Sequence, residues 1–530
     1  MVSTLDGFTF VDLFAGIGGF HAALADLGGR CVYACEIDPR ARKIYEKAWI
    51  EPDRSRGHSY PFAEDINDDV AYVEEDALPV AQDDLKEFPE HDVLAAGFPC
   101  QAFSKSGKQH GVLDETRGTL FYNILRIVRA KRPRVVFLEN VKNLAGPKHR
   151  DTTFKTIIRA LHELGYVVAA HPTVISPHRI SPRLGGTPQM RERIYIMAIH
   201  GSALGDDLQT GAERIEWTRK SRASLATAPP FGAFEYDGWD PGEWRIHSTP
   251  LALYDGEPIL VGDARLGDVS RYAVGEEGPA IAAWDGFVRE VVRRRALRKD
   301  DGRRRLPGHP IWLGVLDEGW LAQERADAEG RRPTRHPDDC GWKHAFLDLN
   351  ERFVVDYRHE INATLGDTVL SFERSRQKFE WQAQDASSLD ECLIQLRPSG
   401  IRVKKATYTP ALVAINQTPI LGKERRRIAP LEAARLQGFP DRVAQIMTKS
   451  QPDSASYKQL GNAVHVGAVA FAFAQFLGHF EEIAGLDPRL QRARHAWRDR
   501  WEAGDEAHGV VSRKGLPVGG ATDDDEPRAS

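Results

Sequence analysis

The sequence predicts an α/β protein: an open, largely parallel sheet built from two separated stretches of chain, with a second, mixed domain inserted between them. Three observations predict it. Short apolar runs at 8–14, 31–37, 91–96 and 133–138 each end in glycine or a polar residue and lead into a helical pattern, the rhythm of strand–helix–strand units. That rhythm stops near residue 201, and eight of the 11 tryptophans (Trp217, Trp239, Trp244, Trp284, Trp312, Trp320, Trp342, Trp381) fall between there and residue 423. A helical apolar pattern returns from 430 to 480 and is placed to pack back on the first sheet. The chain accordingly divides into 1–200, the first part of the sheet domain; 201–423, a domain with its own core; 424–482, the return to the sheet; 483–503, a charged helix; and 504–530, a tail whose composition predicts disorder.

Residues 8–14 (FTFVDLF) form the first strand signal and run into Ala15-Gly16-Ile17-Gly18-Gly19 before a helix at 21–27. Strand, glycine turn and helix bring backbone N–H groups close to a bound ligand. The glycines fit GxGG and not GxGxxG, so a pyrophosphate is not demanded, and a plain tight turn is the alternative. The second strand, 31–37 (CVYACEI), leads into a helix with Asp38 as N-cap and Pro39 in its first turn. Glu36 lies near that strand's end, 18 residues past Gly18. At about that interval an acid accepts both hydroxyls of a ribose, which points to an adenosine-bearing ligand. Asp65 and Ile66 follow at a third strand end, where Asp68 and Asp69 leave a solvated acidic turn as the alternative.

The apolar run 91–96 (HDVLAA) delivers Gly97-Phe98-Pro99-Cys100 at its C-terminal end, where open sheets place their chemistry. The polar continuation from Gln101 to Lys108 does not read as core, so Cys100 stands where a nucleophile would. A helix at 116–129 precedes the strand 133–138, which ends in Glu139-Asn140-Val141 and so sets a carboxylate beside the cysteine strand. A helix at 154–164 and a strand at 167–170 come next. Arg191 and Arg193 then occupy alternate positions on the approach to a strand at 194–199, where their side chains point the same way. They read either as a carboxylate- or anion-orienting pair or as two solvent-facing arginines.

Composition narrows the class. With 42% hydrophobic and 28% charged residues over 530, the chain is ordinary globular protein. No run approaches 18 uninterrupted apolar residues and residues 1–10 lack the pattern of a secretory signal, so a cytoplasmic protein without membrane association is expected. Five cysteines fit a reducing compartment, and nothing requires a dimer. A formal charge of -5 leaves any nucleic-acid surface a local one. Two candidates exist: residues 289–305, with nine Arg or Lys against three acids, and 397–405, where Arg397 and Arg402 are placed for guanine edges or phosphates. His336, Cys340 and His344 lack an evident fourth ligand, so no metal is expected.

Taken together and in order, DLFAGIGG (12–19), Glu36, EDI (64–66), GFPCQAFS (97–104), TRG (116–118), ENV (139–141), PQMRER (188–193), EAARLQGFP (432–440) and QLGNAV (459–464) resemble the DNA (cytosine-5-)-methyltransferases of bacterial modification and phage-defence systems. The resemblance covers 8–200 and 425–480. It implies an S-adenosylmethionine-dependent, Rossmann-like sheet, a target-recognition domain at 201–423 and double-stranded DNA in the cleft between them. By this resemblance Phe14, Gly16, Gly18 and Gly19 shape the cofactor loop, Glu36 holds the ribose, Asp65 and Ile66 flank the adenine, Pro99 joins the cofactor site, and Asn462 and Val464 close its methionine side.

The implied chemistry explains the residue types. Carbon 5 of cytosine is a poor nucleophile until a thiolate, here Cys100, adds to carbon 6. Glu139 would serve nitrogen 3, Arg193 would hold that glutamate and meet the base carbonyl, and Arg191 would stand behind them or face a phosphate. The target base must leave the helix stack, with Gln101 or Ser104 against its backbone. The runners-up are transfer RNA methylation, since a branch of the family acts on RNA, and a non-catalytic DNA-binding regulator. A restriction nuclease or another defence protein acting on the same site is the expected partner.

Overall fold

The computed structural model describes residues 7–70, 85, 87–99, 120–147, 149–168, 172–203, 236–297, 306–330, 341–366, 368–412, 418–484 and 486–507. Cys100, Gln101, Ser104, the TRG run, the 298–305 half of the basic stretch, His336, Cys340 and the tail from 508 lie outside them.

Nine strands among the described residues up to 200 set up the site: β1 Thr9–Leu13, β2 Arg30–Cys35, β3 Phe62–Ala63, β4 Val93–Ala96, β5 Val135–Val141, β6 Tyr166–Val168, β7 Thr173–Ile175, β8 Gln189–Met190 and β9 Arg193–His200. The main sheet runs β3-β2-β1-β4-β5-β9-β6, with β7 also on β9. β1 to β5 are parallel, and β9 lies antiparallel to β5, β6 and β7. Alternation decides which core each side chain enters. Phe10, Val93 and Ala95 face a first core, and Val11, Leu13, Leu94 and Ala96 face a second.

The first core is closed by the helix Gly19–Asp26 and by the apolar helix Val466–Ala484, whose Phe473 stacks on Phe137 of β5 at 5.6 Å. The stretch Asp453–Glu481 is long and apolar enough to cross a membrane, but 89% of its most apolar window is buried inside the molecule. The helices Leu120–Lys131 and Lys155–Glu163 cover the second core. The charged helix spans Pro488–Ala507, past the expected end at 503, and Leu490, Ala493 and Trp497 give it an apolar stripe in the first core.

A third core lies within the inserted region, between the helix Gly278–Leu297 and a sheet of β10 Ile311–Trp312, β11 Lys378–Gln382, β12 Cys392–Arg397, β13 Gly400–Lys405, β15 Ile420–Leu421 and β16 Arg426–Arg427. Trp284 stacks on Phe379 there at 4.4 Å. Between β13 and β15, β14 (Thr409–Pro410) pairs in parallel with β8. Residues 236–261, grouped with the insertion by composition, instead bury Trp244, Leu251 and Tyr254 in the first core. Tyr254 also donates to the Arg435 carbonyl at 2.9 Å.

Candidate active site

The C-terminal ends of β1, β2, β4 and β5 open on one cavity of about 500 Å³. Its floor is the loop after β1. Phe14, Gly16 and Gly18 all have positive φ (55°, 56° and 88°), a conformation strained for phenylalanine and natural for glycine. Gly16 N–H donates to Glu36 Oε2 at 2.7 Å and Asp38 N–H donates to Oε1 at 2.7 Å, so two backbone donors fix the carboxylate at the cavity wall. Asp65 caps the short helix Ile66–Asp69 through Asn67 N–H at 2.9 Å, and both Asp65 and Ile66 line the cavity.

Gly18 and Gly19, expected to shape the cofactor loop, act from behind it. A Cβ on Gly18 would sit 2.1 Å from Trp49 Nε1, the group that donates to the Ile17 carbonyl at 3.0 Å. A Cβ on Gly19 would sit 2.5 Å from Val464 Cγ2, so this glycine lets the C-terminal block close on the loop. Asn462 and Val464 reach the cavity wall from that block, as does Pro99 from the cysteine loop.

At the other end Glu139 is buried in β5, and Arg193 Nε lies 3.2 Å from its Oε1. A Cβ at Gly97, three residues before Cys100, would be 3.9 Å from Glu139 Oε2, so the carboxylate faces the start of the cysteine loop. Burial raises the Glu139 carboxyl above its ordinary value, and Arg193 and Arg191 pull it back only in part. The result is a carboxyl inclined to keep its proton.

Of the two roles expected of Arg191, only the one behind the Glu139–Arg193 pair remains open, because at 1% exposed it cannot face a phosphate. Its guanidinium donates to the carbonyls of Leu412 (3.0 Å), Gly461 (2.9 Å) and Ala463 (2.7 Å). Burial, then the charge of Arg193, push it down to about 9. Gln189 and Thr187 extend the clasp, both donating to the Leu436 carbonyl at 2.9 and 2.7 Å.

Several lining residues carry no local signal. Ile37, 64% exposed, stands beside Glu36 on the cavity wall. Asn140 donates to the Phe98 carbonyl at 2.9 Å and ties β5 to the cysteine loop, a role that only the adjacency of β4 and β5 makes legible.

In the insertion, Arg397 and Arg402 converge on Glu380, at 3.4 and 2.8 Å. In the described part of the basic stretch Arg289 pairs with Asp285 and Asp390, Arg293 and Arg294 pair with Glu290, and Arg295 donates to the Tyr357 hydroxyl at 3.3 Å.

A largely parallel sheet with a glycine loop, a carboxylate after its second strand and an acid–arginine pair across one cavity at the strands' C-terminal ends has the build of an α/β enzyme. The sequence profile of C-5 cytosine-specific DNA methylases matches residues 8–221 and 348–477. The chain is 37% identical to the Type II methyltransferase M.AluI of Cellulosimicrobium cellulans, over 92% of this chain and 95% of that one. It is 28% identical to the Type II methyltransferase M.HgiCI of Herpetosiphon aurantiacus, over 87% and 95%. A crystal structure of S. pombe Dnmt2 methyltransferase aligns with a TM-score of 0.40 and 16% identity, over 89% of this chain and 98% of that chain. The chain belongs to the C-5 cytosine-specific DNA methylase family and is a DNA (cytosine-5-)-methyltransferase of the bacterial restriction-modification type.

Proposed function

We propose that this enzyme takes its methyl group from S-adenosylmethionine and transfers it, at a specific sequence in double-stranded DNA, to a cytosine flipped out of the helix and held covalently by Cys100. The buried Glu139–Arg193 pair, sharing one cavity with Glu36 and the β1 loop, is the observation that carries this reading. The cavity's volume lies in the range of small-molecule cofactor sites. Glu36 would take the ribose hydroxyls, Asp65 and Ile66 the adenine, and Phe14, Gly16, Pro99, Asn462 and Val464 the rest, with Gly18 and Gly19 keeping the loop's shape. Bound there, S-adenosylmethionine supplies an electrophilic methyl group on a sulfonium.

The chain's own residues do the remaining work. The Cys100 thiolate forms a bond to carbon 6, and the electrons of the 5,6 double bond move toward carbon 5, the carbonyl and nitrogen 3. Glu139, inclined by burial to hold its proton, gives a proton or hydrogen bond to nitrogen 3. Arg193 orients Glu139 and faces the base carbonyl, where its charge opposes the negative charge that develops. Arg191 holds the Arg193 segment in place through its three carbonyls. Once carbon 5 carries the methyl group, water or hydroxide takes the carbon 5 proton, the electrons of that C–H bond reform the 5,6 double bond, and the carbon 6–sulfur bond breaks to return the Cys100 thiolate. Gln101 and Ser104 would meet the flipped nucleotide's backbone, and Arg397 and Arg402 the duplex. The enzyme would act as a cytoplasmic monomer that marks or protects host DNA, alongside a nuclease or another defence protein reading the same site.

Bisulfite or nanopore mapping of plasmid DNA from cells expressing wild type or Cys100→Ala tests this. One recurring motif methylated by the wild type alone is the expected result. Equal methylation by the Cys100→Ala variant would overturn the thiolate role, and methyl transfer to transfer RNA in place of plasmid would overturn the substrate.

A further inference from the structure

We infer that Glu380 is a specificity-determining residue: the half-exposed face of the β11–β13–β12 sheet reads the duplex, and Glu380 with Arg402 meets the two bases of one G·C pair. The inference rests on the DNA reading above and names the surface and chemistry by which the site is chosen.

Register builds the surface. Glu380 of β11 stands opposite Arg402 of β13, and Arg402 stands opposite Gln395 of β12, so the three side chains form a row across one face. Alternation adds Lys378, Arg397 and Lys404 to that face. The residues between them, including Phe379, Ile394, Ile401 and Val403, fill the third core. Arg402 Nε lies 2.8 Å and Arg397 Nη1 3.4 Å from Glu380 Oε2, with the three side chains 31%, 29% and 24% exposed. β13 lies between β11 and β12, and β12 continues to β15, so the row sits on the face of a wider sheet.

Position supports the same assignment. The face that carries Gln395 and Arg397 also carries Leu393, which is buried in the first core, so the polar part begins where the sheet leaves the catalytic body. Lys404 lies 5.3 Å from the Tyr408 ring, and that ring packs against His178 at 4.8 Å. Two residues on, Pro410 pairs with Met190, next to Arg191 and near the Glu139 end of the cavity. The row of cations thus runs from β12 and β13 toward the catalytic cleft.

Charge identifies what is read. Lys378, Arg397, Arg402 and Lys404 outnumber the one carboxylate, and burial and then Arg402 push the Lys404 ammonium below its ordinary value. Crowded cations favour a polyanion. Glu380 at the centre braces both arginines through Oε2, while Gln382 Nε2 donates to its Oε1. An ionised carboxylate only accepts hydrogen bonds, so on the major-groove edge it meets an amino group such as cytosine N4. Arg402, braced through Nε, keeps its Nη groups to donate to guanine O6 and N7.

The experiment is methylation mapping on a plasmid library with randomised sites, comparing wild type, Glu380→Gln and Arg402→Gln, with thermal melting of each protein. The reading is the ratio of methylation at the cognate motif to that at each single-base variant. Discrimination at one G·C pair should fall about tenfold or more in both variants, at the same pair. Unchanged ratios at every position in either variant, or losses at different pairs in the two, would overturn the inference while leaving the methyltransferase reading intact. A wild type that marks no cytosine would overturn that reading and this inference together.

Discussion

Glu139 and Glu380 are each flanked by two arginines, and they do different things. At the cavity, Glu139 pairs with Arg193 at 3.2 Å beside Arg191; on the inserted sheet, Glu380 pairs with Arg402 at 2.8 Å beside Arg397. The contact chemistry is nearly identical. Burial separates them: the Glu139 side chain is 10% exposed and the Glu380 side chain 24%, and Arg191 is turned wholly to backbone carbonyls whereas Arg397 keeps a partly exposed side chain. Burial raises the first glutamate's carboxyl above its ordinary value. The second sits where it can accept a hydrogen bond from a partner arriving from solvent.

The sharpest way to break this comparison is Glu139→Gln. It should slow methyl transfer by about 10²- to 10⁴-fold, as loss of a positioned acid does, and leave the methylated motif the same. Single-turnover assays with motif mapping check both, and a changed motif would erase the distinction between the two sites. Next in size is Arg191→Ala, which strands the carbonyls of Leu412, Gly461 and Ala463 in the interior. A loss on the order of 3–5 kcal/mol in urea unfolding is expected. The matching change on the other side, Arg397→Ala, removes a partly exposed 3.4 Å ion pair and should alter stability by less than about 1 kcal/mol in the same assay.

The smallest expected effect is in the pH dependence of stability. The Glu139 carboxyl is raised in the folded state, so its contribution is fully present below the ordinary carboxyl value of 4.5 and is lost as pH rises through the raised value. Glu139→Gln has no such loss. The melting temperature of the variant relative to wild type should therefore climb with pH, by roughly 1–3 °C. A difference that stays flat from pH 4 to 8 would mean the carboxyl is not raised.

The parts of this site that lie at strand ends were legible in the sequence. Glu36 and Glu139 follow short apolar runs, and the glycine loop sits between a strand and a helix, so local period and turn chemistry locate them, while Cys100, read in the same way, lies outside the described residues. What was not legible depends on contacts between distant residues. Gly19 matters because of Val464, and Gly18 because of Trp49. Arg191 reads as Arg193's twin on an extended strand, yet its partners lie more than 200 residues away, at 412, 461 and 463. Trp244 and Tyr254 belong by composition with the insertion, and only their packing assigns them to the first core.

The clasp formed by Arg191, Gln189 and the β8–β14 pair has a consequence for exchanging parts between relatives. A recognition module is portable only if its cut ends fall where few contacts are shared. Residues 409–412 are held by the catalytic motif itself, so a graft that replaced them would bring in foreign backbone at the point where Arg191 is satisfied. A donor's reading surface should transfer with its downstream seam placed before residue 409, the recipient keeping its own strand against Gln189 and Met190. A seam placed after 412 would cost the hybrid stability before its specificity could be measured.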